Sequence, residues 1–261
     1  MRSTERDVSD TTDRSMIQRV SAIMSAFKGS DRALSVSEIG RRSGIPKASA
    51  SRIITELIEV GFLERNGAKV GLGMRLFELG ERAARPSDLK KFTLPSMAEL
   101  RNATRQTVHL AVLQGHEVVY IQILRSSLTP PLPSRVGGRL PAYATGVGKA
   151  LLAFSGDDVV DEILAQPLKA IGPRTITKPD VLRAQLSEIR ENRVAFEREE
   201  NTPNVGCAAA AILDYDGKPI AAISVSGHLD HIDLARLGPA IATSAMALTR
   251  EAARLNFTAA D

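Results

Sequence analysis

Residues 141–153 read PAYATGVGKALLA, and the fold depends on what the run Gly146-Val147-Gly148-Lys149 is for. A Walker-type phosphate loop needs a further glycine four residues ahead of the Gly-Lys pair and a hydroxyl residue after it, because the backbone wraps the phosphates and the hydroxyl holds magnesium. Tyr143 and Ala150 occupy those places. A dinucleotide fingerprint needs a third glycine for close helix-to-strand approach, and Leu151 stands there. Neither nucleotide fold fits, so the glycines must serve another architecture.

The flanking sequence supplies one. Upstream, TVHLAVLQ (107–114) and EVVYIQIL (117–124) alternate like antiparallel strands turned at Gly115-His116, and a proline- and glycine-rich loop follows (Pro130, Pro131, Pro133, Gly137, Gly138). Downstream, Ser155 is placed to cap a helix over DDVVDEILAQ. Thr177 is placed to cap KPDVLRAQLSEIRENR, with Asp180 completing a capping box. CAAAAILD and PIAAISVSG then read as a buried hairpin joined by YDGK, and a last helix runs from His231 to Leu255. The fold class is α+β, with an antiparallel sheet flanked by helices.

The N-terminal part has a different character. Residues 1–14 are polar and aperiodic and read as a disordered tail. Ile17, Val20, Ile23, Met24 and Phe27 keep helical spacing until Lys28-Gly29-Ser30 stops them. SVSEIGRRSG carries a Ser35-x-x-Glu38 capping box and closes at Gly44. Pro46 suits a first helical position, and KASASRIITELIEV continues to Gly61. On this third helix Ala50, Ile53, Ile54, Leu57 and Ile58 share one side, while Ala48, Ser49, Arg52 and Thr55 face away. Small, hydroxylated and cationic groups on one face suit a major groove, so the pair of helices reads as a helix-turn-helix. Asn66-Gly67 then marks a hairpin whose basic tip, with Lys69, would form a wing over residues 15–73. Met74 to Ala84 reads as a linker helix broken at Arg85-Pro86-Ser87, giving a linker over 74–87, and a further helix spans Leu89 to Ala103 within a second domain, 88–261.

Charge supports that division. The chain has 261 residues and a formal net charge of +4; residues 1–90 hold 16 of the 34 basic and 12 of the 30 acidic side chains, so the rest of the chain is balanced. No acid falls between Glu38 and Glu56, where Arg41, Arg42, Lys47 and Arg52 do. A polyanion partner follows for this segment. No apolar run is long enough to span a bilayer or act as a signal, which gives no membrane partner and a cytoplasmic location as the default. A single cysteine excludes an internal disulfide and a multi-cysteine metal site.

The order of a winged helix-turn-helix, GLGMRLFELG, GGRLPAYATGVGKALLA and EREENTPNVGCAAAAILD closing on AAISVSG resembles the IclR family of bacterial transcription regulators, from about Ile17 to Leu255. The resemblance implies an N-terminal DNA-binding domain, a C-terminal GAF-like effector domain, a homodimer or dimer of dimers, and control by a small, often carboxylate-bearing metabolite. DNA contacts are then expected from Arg41, Arg42, Lys47, Ser49, Ser51, Arg52 and Lys69, on a palindromic double-stranded operator. The Gly-x-Gly-Lys turn would line the effector pocket, with Thr145, Gly146 and Val147 offering backbone donors to a small anion. Leu132, Glu197, Val205, Cys207, Ser224 and Ser226 complete the implied pocket. Glu197 stands where an aspartate is common. Asn192 stands where glycine is common, and asparagine tolerates the left-handed conformation there.

No cofactor, metal or catalytic group is expected. Cys207 lacks a His and Asn motif and reads as a small buried apolar residue. His228 and His231 have no third ligand nearby and read as loop residues, and Asp214 and Asp216 belong to a hairpin turn. The competing class is a metabolite-binding module or enzyme whose basic N-terminus mediates assembly.

Overall fold

The computed structural model describes residues 14–29 and 31–259, so the tail expected over 1–13 and Ser30 of the first helix stop lie outside the described residues. Arg14 belongs to the fold rather than to a tail, since its guanidinium donates to the Ser43 carbonyl at 3.2 Å. The chain divides into two compact units between Ser87 and Asp88.

In the first unit, α1 (Met16–Ser25) starts at a true capping box: Ser15 accepts from the Gln18 amide while Gln18 accepts from the Ser15 amide. For α2 (Val36–Ser43) only half of the expected box forms. Ser35 accepts from the Glu38 amide, but the Glu38 carboxylate turns to Arg42 instead, at 2.7 Å, because an ion pair one helical turn away outcompetes a lone backbone donor. Gly44 closes this helix with φ +69°, the left-handed cap that suits glycine. Pro46 is the N-cap of α3 (Lys47–Glu59), one position earlier than expected. Ile23, Ile39, Ala50, Ile53, Ile54, Leu57 and Leu63 form the core. The wing is β1 (Leu63–Asn66) against β2 (Lys69–Leu72), turned at Gly67 with φ +60°, and Leu34 bridges to Val70 beside it. The helix α4 (Met74–Glu81) ends the unit.

Arg85-Pro86-Ser87 does not break a helix. The break falls at Arg82-Ala83, and α5 (Ala84–Thr104) begins just before the proline. Pro86 is tolerated because the first turn has no intrahelical partner for its missing N–H.

The second unit is built on one six-stranded antiparallel sheet. Its strands are β3 (Thr107–Gln114), β4 (Glu117–Leu124), β5 (Arg139–Pro141), β6 (Ala195–Arg198), β7 (Val205–Leu213) and β8 (Pro219–His228), in the spatial order β5-β4-β3-β8-β7-β6. A 3-10 turn (Ala142–Ala144), α6 (Gly146–Leu152), α7 (Asp157–Leu164) and α8 (Pro179–Asn192) share a core with one sheet face, and α5 and α9 (Leu234–Arg254) share a core with the other. This explains the alanine run on β7. Cys207 and Ala209 pack on the first side, Ala208 and Ala210 on the second, and small side chains let helices approach both faces.

Several helix starts shift. Ser155 ends α6 rather than capping α7: its hydroxyl donates to the Leu151 carbonyl at 3.0 Å, and Gly156 is the N-cap. Lys178, not Thr177, precedes α8, whose first residue, Pro179, sets the entry without a side-chain cap. The left-handed residue after α8 is Arg193 (φ 60°), one beyond Asn192, and its guanidinium lies 5.4 Å from the centre of the Phe154 ring. Asp233 accepts from the Arg236 amide and so starts α9 after His231.

Candidate functional site

The register places polar groups in a band across one sheet face. Glu197 on β6 pairs with Cys207 on β7, Cys207 with Ser226 on β8, and Ser224 with His109 on β3. Adjacent strands lie about 4.8 Å apart, so three strand steps carry this band roughly 14 Å from Glu197 to His109. Above it sits a cavity of about 400 Å³ of empty space, open mouth included. All nine positions expected for the effector line it: Leu132, Thr145, Gly146, Val147, Glu197, Val205, Cys207, Ser224 and Ser226. His109, Tyr120, Ser134, Asn201 and Thr202 line it too. Sequence reasoning missed these because alternation on β3 and β4 marks a face but not what stands over it, and because Ser134, Asn201 and Thr202 lie in loops with no periodic signal. His109 is buried, and its ring nitrogens lie 3.0 Å from the Ser134 hydroxyl and 3.4 Å from the Ser224 hydroxyl.

Burial sets the charge of this site. It pushes Glu197 up to about 7, the neighbouring Glu200 carboxylate pushes the same way, and N–H donation from Glu200 and Asn201 opposes both. Oε1 of Glu197 accepts from the Glu200 amide at 2.6 Å and the Asn201 amide at 3.2 Å. Burial pushes the Cys207 thiol up to about 12, helped by Glu197 and opposed by hydrogen bonds with Ser226 and Ser224; the sulfur stays a protonated thiol. Burial, aided by the Arg125 cation, takes His109 down to about 3, so the imidazole is neutral.

The glycines of the opening motif prove to be packing devices. A β-carbon on Gly146 would stand 2.7 Å from Cys207 Sγ, and one on Gly148 would stand 2.1 Å from the Ala142 carbonyl oxygen. Glycine thus lets α6 begin directly on β7 with the 3-10 turn folded beneath it. Thr145 caps α6, accepting from the Gly148 amide at 3.1 Å. Lys149 does not face the cavity. It is fully buried and donates to Gln185 Oε1 at 2.8 Å, the Phe196 carbonyl at 3.0 Å and Glu200 Oε1 at 2.5 Å, tying α6 to the segment after β6.

The expected DNA-binding residues separate into two groups. Lys47, Ser51 and Arg52 on α3, Arg41 on α2 and Lys69 on the wing are exposed, and Ser49 is half-buried at the edge of the same helix. Arg42 is not available. Its Nη1 donates to Asp31 Oδ2 at 2.5 Å and to the Ala26 carbonyl at 3.1 Å, and its Nη2 donates to Glu38, so two carboxylates neutralise it inside the unit. The hydrogen bonds to these carboxylates raise Arg42 and depress Asp31, as expected of a satisfied pair.

A winged helix-turn-helix with a cationic recognition face, joined in one chain to a sheet carrying a polar-floored cavity, defines a ligand-responsive DNA-binding protein. Comparison with known proteins agrees. The model for the IclR helix-turn-helix domain matches residues 16–67, and that for the bacterial transcriptional regulator IclR C-terminal domain matches residues 82–253. The chain belongs to the IclR family of transcriptional regulators. It is 33% identical over 215 residues to the HTH-type transcriptional regulator KdgR of Escherichia coli, covering 81% of each chain. It is 29% identical to XynR of the same species, over 90% of this chain and 95% of that one. Among solved structures, an IclR homolog from Microbacterium hydrocarbonoxydans complexed with 4-hydroxybenzoate matches with a TM-score of 0.82 and 32% identity, over 91% of this chain and all of that one. The Thermotoga maritima IclR matches with a TM-score of 0.74 and 28% identity, over 91% and 98%. The protein is therefore a DNA-binding transcriptional regulator with an effector-binding C-terminal domain.

Proposed function

We propose that residues 15–73 bind a palindromic operator within a homodimer or dimer of dimers, that residues 88–261 bind a small organic acid at the cavity above β7 and β8, and that the acid changes operator affinity. Twofold pairing is needed because one recognition helix reaches only a few base pairs. The observation that carries the effector half is the cavity itself, where Ser224, Ser226, Thr145 and a neutral His109 supply polar contacts beside the apolar Leu132, Val147 and Val205. Such sites bury a small ligand while a few polar groups fix its orientation. The likeness to the 4-hydroxybenzoate complex supports an acid of that size. We assign Arg41, Lys47, Ser49, Ser51, Arg52 and Lys69 to DNA and leave out Arg42. The protein acts where its operator is, in the cytoplasm, and by binding alone: the protonated Cys207 thiol has no role as a nucleophile.

Two measurements test this reading. A thermal-shift screen of small aliphatic and aromatic carboxylates should raise Tm, as any ligand specific to the native state does, and the acid that does so should alter operator affinity. Arg52→Ala should cost about 1–3 kcal/mol at the operator, while Lys47→Ala should weaken all duplexes alike and reduce the salt slope by about one. Unchanged binding of operator and random DNA by both variants would show that the assigned face is wrong.

A further inference from the structure

Lys149, Glu197 and Glu200 are all buried and lie close enough to act on one another, so two carboxyls share one cation. An ammonium has three hydrogens to give. Those of Lys149 go to Gln185 Oε1, the Phe196 carbonyl and Glu200 Oε1, and none is left for Glu197. Oε1 of Glu197 is served by the Glu200 and Asn201 amides. Oε2 accepts no hydrogen bond among the described residues and is not sealed in protein, so it faces the cavity that Glu197 lines. A buried carboxylate without a cation is costly, and a proton removes the cost. Burial accordingly pushes Glu197 up to about 7. The other groups around the cavity keep their state across neutral pH. Burial takes His109 on β3 down to about 3, pushes the Cys207 thiol on β7 up to about 12 and raises Tyr120 on β4 far above its usual range. Burial also raises Glu200, against the pull of Lys149, while the Arg125 and Arg198 guanidiniums beside His109 and Glu200 stay charged throughout.

Resting on the reading of the cavity as an effector site, we infer that Glu197 makes effector binding a proton-linked event: an anionic effector seats with Glu197 protonated, and its arrival draws a proton onto Oε2. Two unit negative charges about 6 Å apart, at an effective dielectric of about 20, repel enough to weaken binding roughly hundredfold. The ionised carboxyl therefore excludes an anion. The protonated one removes the repulsion and offers Oε2–H to an oxygen of the ligand. By linkage, an anion that prefers the protonated form also tightens the hold of Glu197 on its proton. Occupancy at a fixed effector concentration then rises as pH falls through neutrality, so the protein responds to acid as well as to its metabolite.

Calorimetry on the full-length protein with 4-hydroxybenzoate and lactate, both ionised at pH 6 and above, tests the linkage. At least one acid binds the parent protein about tenfold more tightly at pH 6 than at pH 8. Titrations at pH 8 in buffers of different ionisation enthalpy show the uptake of close to one proton per acid bound, and those at pH 6 show little. Glu197→Gln copies the protonated form, with one oxygen for the two amides and an N–H in place of Oε2–H. It binds the acid as the parent does at pH 6, keeps that affinity at pH 8 and takes up no proton. Equal parent affinity at the two pH values, with no proton taken up at pH 8, would overturn the linkage and leave the effector site in place. Uptake that survives in Glu197→Gln would move the proton to another group, Glu200 first, and overturn the assignment, as would a folded variant that binds poorly at both pH values. Should neither acid bind the parent protein at pH 6, the linkage falls together with the carboxylate reading of the cavity.

Discussion

Glu197 combines a structural task with a place in the wall of the proposed effector cavity. Its carboxyl holds the turn after β6 through two backbone amides, yet burial takes it up to about 7. A carboxyl raised in the native state binds its proton more tightly there than in the unfolded chain. Its ionisation therefore costs nothing at pH values below the ordinary carboxylate range, a growing amount as pH rises from 4.5 to about 7, and a constant amount above that. Glu197→Gln keeps an acceptor for the two amides and removes that cost. The variant should match the parent protein near pH 4 and exceed its stability at pH 8 by on the order of 3 kcal/mol. Denaturant titrations at the two pH values would show it, and a stability difference independent of pH would mean that the carboxyl ionises freely. Arg42 makes the contrasting case. Its charge is spent within the first unit, so Arg42→Ala should lower Tm through the loss of its bonds to Asp31, Glu38 and Ala26, while the folded variant keeps the salt dependence of DNA binding.

At the scale of elements, the junction between α6 and β7 decides whether the cavity exists. The helix starts against Cys207 because Gly146 has no side chain, and the 3-10 turn passes beneath because Gly148 has none. Gly146→Ala should overpack the junction and destabilise the protein by about 1–3 kcal/mol. The added carbon meets the Cys207 sulfur first, at 2.7 Å, with the Cys207 and Ala209 β-carbons at 3.4 and 3.5 Å. Cys207→Ala in the same chain should therefore recover part of the loss, and a double-mutant cycle by thermal or denaturant unfolding reads the coupling. Additive effects would mean that the sulfur is not what the glycine makes room for.

At the scale of the molecule, the chain is two units with separate cores, one of helices and a wing and one of a sheet covered on both faces. The division at Ser87/Asp88 falls in the first turn of α5, whose later residues Leu89, Met97 and Leu100 belong to the core of the second unit. A fragment of residues 84–261, which keeps the helix start, should fold cooperatively and bind the same acid as the full-length protein. One beginning at residue 88 lacks that first turn and should unfold at a lower temperature. A molten fragment 84–261, seen by loss of near-ultraviolet circular dichroism with retained helix signal, would show that the units depend on each other for folding.

Local chemistry made much of this legible in sequence. The exposed face of α3 with Lys47, Ser51 and Arg52, the Asn66-Gly67 turn, the strand pairs around Gly115 and Gly217, and the exclusion of a nucleotide loop all rest on neighbours within a few residues. Helix starts after loops were less legible: Ser155, Thr177 and Asn192 each had the right chemistry near the right place, and packing chose a neighbour. The sequence alone determined most of the helices, the wing, the four long strands and their order, the basic first unit and, through the family pattern, nine of the positions around the cavity; the short strands β5 and β6 at the two sheet edges carried no signal of their own. Only the tertiary structure decided that β3 pairs with β8, more than a hundred residues away, that His109, Tyr120 and Asn201 share the cavity, that Arg42 is spent on Asp31 and Glu38, and that Lys149 is buried on Glu200. The physical reason is the range of the forces involved. Caps, turns and periodicity are set by the backbone within one or two turns, whereas the partner of a charge or a buried donor depends on which distant strands the hydrophobic core brings together.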